Sequence, residues 1–289
     1  MSVDHYENFP VASWLCPPAL RPAVAAIYHY ARTADDIADE GDEPADVRLA
    51  LLARYRLTLL ASLRPGAPTP LEEMVADWGP IFAELKVAVE HHELPVQPLL
   101  DLLDAFEQDV RNPTYPDRES LLDYCRRSAN PVGRLLLHLW GINDEQSLRE
   151  SDCICTALQL INFWQDFSVD HPRGRCYVPV EDASRHGLDP AMLPTMVDSE
   201  STTALVSDLC EWARALMHQG QALPLRVPGR AGWELRLVVQ GGLRILERIG
   251  QMHHRTLRHR PTLGPLDLPP MLWRALTLRE RSSPLTATR

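Results

Sequence analysis

Along most of the chain, apolar side chains recur every three or four positions and polar ones fill the gaps. That period puts the apolar residues on one face of an α-helix, so it predicts helix after helix. After Pro22, "AVAAIYHYARTADDIADE" has few β-branched residues and meets no glycine until Gly41. A second helix is expected over 45–63, ending at "RPGAPTP". Further helices are expected over 71–92, 96–110, 117–141, 145–170, 201–221, 232–252 and 268–280. Prolines and glycines fall mainly between these segments, where helix boundaries tolerate them. No stretch alternates apolar and polar residues as a half-buried strand does. The pattern predicts an all-α fold: one domain over 1–280, a helical bundle around a central cavity, with a disordered tail over 281–289.

Composition narrows this picture. With 289 residues and 45% hydrophobic content the chain can bury a large core. No apolar run approaches the length of a membrane span. The first residues lack the basic and apolar regions of a signal peptide. Six scattered cysteines form no C-x-x-C pair, which fits a reducing cytoplasm. A net charge of −10 argues against nucleic acid as a partner.

The acidic residues carry the chemistry. In "ARTADDIADEGDE" (31–43), each helical residue turns by about 100°. With Tyr28 at zero, Arg32 lies at about +40°, Asp35 at about −20°, Asp39 at about +20° and Asp36 at about +80°. Tyr28, Arg32, Asp35 and Asp39 thus share one stripe, with Asp36 at its edge. An acidic helix end is ordinarily a solvated face. His29, Thr33 and Glu40 lie close enough to the stripe to leave that reading open, and Glu40, Asp42 and Glu43 are expected to be solvated. A second stretch, "LQLINFWQDFSVDHPRGRCYVP" (158–179), repeats the arrangement. With Gln159 at zero, Asn162 lies at about −60°, Phe163 at about +40°, Asp166 at about −20° and Asp170 at about +20°. Its neighbours are apolar, so this stripe is expected to point inward, where unpaired carboxylates are costly. Two Asp-x-x-x-Asp helices facing each other would offer oxygen-only ligands, which suit Mg²⁺ shared with substrate phosphates. Such a clamp stabilises the charge on a departing diphosphate. The carbocation left behind needs apolar and aromatic walls. Phe9, Tyr28, Phe163, Trp164 and Phe167 are candidates, although each would serve equally as core packing.

"YHYARTADDIADE" (28–40), "RSANPVGRLLL" (127–137) and the 158–179 stretch together resemble the squalene/phytoene synthase family of head-to-head prenyl synthases. The resemblance covers roughly residues 5–260, and the segment 7–42 looks most like its bacterial hydroxysqualene synthase branch, of hopanoid biosynthesis. It implies an isoprenoid synthase bundle binding two or three Mg²⁺ ions. Asp35 and Asp39 would hold them on one side, and Asn162, Asp166 and Asp170 on the other; Asp36, at the stripe's edge, is a lesser metal candidate. Tyr28 and Arg32 match positions that approach the diphosphate, and Arg173, Arg175 and Tyr177 match a lid over it. Asn8, Phe9, Gln159, Phe163 and Gln165 are further substrate-side candidates, with Asn8, Gln159 and Gln165 considered as holders of a quenching water.

For that branch the resemblance implies Mg²⁺-assisted loss of diphosphate from presqualene diphosphate. Rearrangement and capture by water would then give hydroxysqualene without a reductant. The chain departs from many relatives at Val169, where an acidic residue is common, and at Gln165, where arginine is common. Asn8-Phe9 stands where Ser-Phe is frequent, and a glycine of "GGLRILERIG" (241–250) falls where a tyrosine is expected. Fewer metal and phosphate contacts fit an enzyme that starts from an already condensed intermediate. Squalene synthase, presqualene diphosphate synthase and phytoene synthase remain alternatives. A different class, a non-catalytic homologue acting as a binding or assembly protein, is disfavoured by the two intact aspartate pairs. A metal-dependent phosphohydrolase is disfavoured because His91-His92 and His253-His254 are adjacent and diverge on a helix. The expected partners are a prenyl diphosphate substrate, presqualene diphosphate synthase and hydroxysqualene dehydroxylase as neighbouring enzymes. Peripheral contact with the inner face of the membrane is also expected, through Trp78, Pro80, Ile81 and Phe82 or through 255–260.

Overall fold

The computed structural model describes residues 16–40, 43–64, 78–195 and 197–278. Every regular element among them is helical. The N-terminal half packs α1 (Arg21–Asp39), α2 (Ala45–Ser62), α3 (Gly79–His92) and α4 (Gln97–Arg111) around one apolar cluster. Tyr30, Tyr55, Phe82 and Trp78 form its aromatic centre, with Tyr55 lying 5.4 Å from Tyr30, 4.7 Å from Phe82 and 4.9 Å from Trp78. Buried hydroxyls need partners. The Tyr30 hydroxyl donates to the Leu99 carbonyl at 2.9 Å and that of Tyr55 to the Tyr30 carbonyl at 3.1 Å, which ties α1 to α2 and α4.

The second apolar cluster is built on α7 (Glu145–Gln165), α10 (Glu200–Gly220) and α12 (Gly229–Gln251). Trp164, Leu160, Met217 and Ile249 are buried there. Shorter helices complete the chain: α5 (Arg118–Ser128), α6 (Asn130–Leu139), α8 (Phe167–Asp170), α9 (Val180–Arg185), α11 (Leu223–Arg226) and α13 (Leu268–Thr277).

Several expectations change. The segment 117–141 is two helices that meet at Ala129 (φ −117°, ψ −48°). Pro131 has no N–H to continue the ladder, and its ring disfavours helical backbone just before it. The segment 145–170 is interrupted at Asp166 (φ −101°, ψ 14°). The bond from the Asp170 amide to the Asp166 carbonyl, 2.9 Å, nevertheless keeps the one-turn spacing of the two aspartates. The last long helix begins at Gly229, earlier than expected. Trp78 and Phe82 are core residues of the N-terminal cluster, which removes them as membrane contacts. No helix among the described residues is long and apolar enough to cross a membrane. Asn8, Phe9, Asp42, the beginning of the 71–92 segment and the 281–289 tail lie outside the described residues.

Candidate active site

A cavity of about 840 Å³ lies where α1, α6, α7, α8 and α12 converge, within the size range of small-molecule sites. Its polar end brings together Asp35 and Asp39 of α1 with Asn162 and Asp166 of the second motif. Arg32, Arg173, Arg260, Gln159 and Gln165 also line it, and Glu40 stands at its rim. Ala129, Val132, Leu158, Ile161, Gly242 and Ile245 form the apolar wall. A Cβ at Gly242 would come within 2.9 Å of Leu158, so the bare backbone lets α12 approach α7 closely.

Each aspartate pair is held by an arginine from a distant segment. Both oxygens of Asp39 accept from Arg175, one at 2.7 Å, and Arg175 is mostly buried. Both oxygens of Asp166 accept from Arg260, the longer contact at 3.3 Å. Arg32 is local: it reaches Asp35 at 3.0 Å, Asp36 at 2.7 Å and Glu40 at 2.9 Å. Glu40 is exposed as expected, but it belongs to this arginine's shell. The Gln165 side-chain amide donates to the Pro261 carbonyl at 2.6 Å. Gln165 and Asp166 thus both bind the segment following α12, at the place where the helix is interrupted.

The segment expected to form a lid is pinned. The Asn112 amide donates to the Gly174 carbonyl at 2.9 Å, and Val180 N–H donates to the Tyr115 carbonyl at 2.8 Å. Gly174 turns there with φ of 74°, a left-handed conformation that glycine adopts without strain. Arg173 faces the cavity, whereas Tyr177 stacks on Phe163 at 3.8 Å and 8°. Phe163, Tyr177, Trp164, Phe167 and Tyr28 are absent from the cavity lining. The expected aromatic wall is therefore aliphatic among the described residues.

The cavity's acidic end is under electrostatic stress. Asp35 still touches the cavity, but protein surrounds it on most sides. Burial, followed by the neighbouring Asp39 carboxylate, pushes its pKa up to about 7 against the pull of Arg32. Asp170, outside the lining but beside Asp166, rises to about 7 for the same two reasons. Arg175 is pushed up, first by its bonds to Asp39.

Sequence reasoning missed Arg260 and Asp109. No local spacing announces Arg260, because its partner lies 94 residues away. Asp109 is half-buried near Arg175 and Asp39, accepts from the Tyr124 hydroxyl at 2.8 Å and is raised to about 7, first by the protein around it. Its signal was legible: Leu102, Ala105 and Phe106 mark the apolar face of α4, and Asp109 continues it at i+7.

Among the described residues no three His, Cys, Asp or Glu side chains converge as ligands of one ion; arginines hold these carboxylates instead. The donors are all oxygens, from two acidic motifs crowded on one cavity, with the Asp35 and Asp170 carboxyls raised first by burial and then by a neighbouring carboxylate. That donor chemistry fits a hard divalent cation.

An all-helical bundle with two aspartate motifs opening onto one cavity defines a class of helical synthase folds, and the comparisons place the chain within it. The sequence matches the squalene/phytoene synthase family over residues 3–267. A hydroxysqualene synthase of Sinorhizobium fredii is 32% identical over 265 residues, covering 91% of this chain and 85% of the relative. A presqualene diphosphate synthase of the same organism is 30% identical, covering 73% and 71%. The crystal structure of squalene synthase HpnC from Alicyclobacillus acidocaldarius superposes with a TM-score of 0.78 at 34% identity, covering 88% of this chain and 92% of that one. The chain belongs to the squalene/phytoene synthase family.

Proposed function

We propose that the protein is a hydroxysqualene synthase: it ionises presqualene diphosphate, lets the carbocation rearrange and captures it with water. The observation that carries this reading is the cavity itself. Two acidic motifs stand at one end, and an aliphatic wall continues from them.

Mg²⁺ held by Asp35, Asp39, Asn162, Asp166 and Asp170 would supply charge stabilisation to the leaving diphosphate. The surrounding side chains have separate tasks. Arg32, Arg173 and Arg260 bind diphosphate oxygens, which guanidinium groups match in geometry and charge. Arg175 and Arg260 also hold Asp39 and Asp166 in place until the substrate arrives. Val132, Leu158, Ile161 and Ile245 enclose the hydrocarbon chains and present no nucleophile to the cation. The Gln159 side-chain amide, which lines the cavity, orients the capturing water. As the carbon–oxygen bond forms, the water loses a proton to the departed diphosphate. The sum is presqualene diphosphate plus water giving hydroxysqualene plus diphosphate, with no redox change.

The similarity to a presqualene diphosphate synthase supports a second reading, in which the same cavity condenses two molecules of farnesyl diphosphate. Incubation with Mg²⁺ and presqualene diphosphate or farnesyl diphosphate, with and without NADPH, separates the two by mass spectrometry. Hydroxysqualene from presqualene diphosphate alone is expected. Squalene formed only with NADPH, or presqualene diphosphate formed from farnesyl diphosphate, would replace the first reading.

A further inference from the structure

Helix α13 is apolar on both sides. Met271 and Ala275 are buried, and the helix packs on α12. Its outer side presents Leu268, Leu272, Trp273 and Leu276 to solvent, Trp273 with 66% of its surface exposed. Leu266, just before the helix, is 84% exposed. Trp233 of α12 extends the patch: Arg236 stacks over its ring at 4.5 Å and donates to the Ala275 carbonyl at 3.4 Å. Arg274 and Thr277 are the polar residues on this outer side, and an exposed apolar patch of this kind marks a docking surface.

Charge identifies the occupant. Residues 226–289 carry twelve arginines against four acidic residues, a net charge of +8, whereas residues 1–225 carry −18. Two of those four acids are already held by arginines. Glu247 binds Arg244 and Arg274, and Asp267 binds Arg244 and Arg248. The sequence past Leu278, "RERSSPLTATR", carries three of those arginines. A second copy of the chain, docked patch to patch, would bring two strongly positive regions together.

We propose that this face docks on an anionic lipid surface. Leu272, Trp273 and Leu276 enter the boundary between headgroups and acyl chains, where tryptophan is favoured. Arg274, exposed on the same helix, meets the headgroup phosphates. The chain's strong charge asymmetry orients it, because the acidic remainder is repelled from the same surface. This docking does not depend on the reaction proposed above. It would bring the cavity near the membrane, since α12 contributes Gly242 and Ile245 to the cavity wall and also seats α13.

The test is co-sedimentation of the full chain with vesicles of phosphatidylcholine, with or without phosphatidylglycerol. The wild type is compared with Leu272→Ser/Trp273→Ser/Leu276→Ser. These side chains are exposed, so the variant is expected to keep the wild-type melting temperature. The wild type should pellet with the anionic vesicles and much less with the neutral ones. The variant should partition at least about 10-fold more weakly, because it loses most of the inserted apolar surface. Binding should also fall at about 1 M salt, where charges are screened within about 3 Å. Absence of wild-type binding to anionic vesicles, or equal binding by the variant, would overturn the proposal. So would a concentration-dependent dimer in sedimentation velocity that the variant abolishes. If the variant does not fold, the lipid and salt dependence of the wild type still decides.

Discussion

The cavity and the joint between α12 and α13 both hold carboxylates against arginines, with opposite balance. At the cavity, Asp35, Asp36, Asp39, Asp166 and Asp170 crowd around Arg32, Arg175 and Arg260. At the joint, Asp267 and Glu247 face Arg244, Arg248 and Arg274, and Asp267 also accepts from the Gly264 N–H at 2.8 Å. The carboxyls respond in opposite directions. Asp35 and Asp170 are pushed up to about 7, first by burial and then by like charge. Asp267 is held well below the usual carboxylate range, first by its bonds with Arg248. Its side chain is covered by its own arginines rather than by deep core, so burial opposes the ionised form only weakly there. A cluster in which three arginines enclose two acids is a structural staple. A carboxylate-rich cluster opening onto a cavity lacks positive charge, which a substrate complex can supply.

The contrast predicts that substitutions at the two places act on different properties. The largest effect is expected from Asp35→Asn and Asp166→Asn, each lowering turnover of presqualene diphosphate by at least about 100-fold. Asp35→Asn also relieves like-charge repulsion, so its melting temperature should equal or exceed that of the wild type. Turnover is followed by product formation and stability by thermal unfolding. A destabilised Asp35→Asn protein with normal turnover would invert the contrast.

Asp267→Asn should do the reverse. Loss of a charge-assisted bonding set costs about 2 kcal/mol of stability in denaturant unfolding at neutral pH. Turnover per folded molecule should stay unchanged. The pH dependence has a definite sign. The folded-state pKa of Asp267 is depressed, so its contribution is complete above the unfolded value of about 3.9 and is lost as pH falls below it. The stability difference between wild type and Asp267→Asn should therefore narrow on acidification below about pH 4.

A smaller effect sharpens the comparison within the cavity. Arg175→Ala and Arg260→Ala each remove a bidentate contact and should lower kcat/KM by about 10-fold, the scale of one charged hydrogen-bonding interaction. Arg260→Ala should raise KM more, because Arg260 lines the cavity while Arg175 lies behind it. Equal behaviour of the two in steady-state kinetics would remove that distinction.

The smallest expected effect concerns packing alone. A Cβ at Gly133 would overlap Ser151 and Cys155 of α7. Gly133→Ala should cost on the order of 1 kcal/mol by forcing α6 away from α7. The measurement is the unfolding midpoint, with turnover falling only if the α6 side of the cavity shifts.

Much of this arrangement is legible in the sequence, and the exceptions have physical causes. Asp35 and Asp39 lie on an uninterrupted helix, so a 100° turn per residue places them correctly beside Arg32. The stripe through Asp166 and Asp170 crosses an interruption that the same rule does not foresee, because the ties from Arg260 and to Pro261 are tertiary. The break before α6 was available locally, in Pro131, since the backbone ladder fails at a proline. The aromatic wall was misplaced for a different reason. Phe163, Trp164 and Phe167 are neighbours of the motif in sequence, but on a helix most neighbours of an inward stripe pack sideways into the core. Tyr177 joins Phe163 there, stacked behind the carboxylates.

The central claim is that the carboxylate-rich cavity, and not the arginine-rich joint, binds a divalent cation together with diphosphate. Titration calorimetry with Mg²⁺ and inorganic diphosphate on the wild type, Asp35→Asn, Asp166→Asn and Asp267→Asn tests it most directly. Joint binding is expected for the wild type and for Asp267→Asn, with binding lost or weakened at least about 100-fold in the two cavity variants. Equal binding by all four proteins, or none by the wild type, would contradict it.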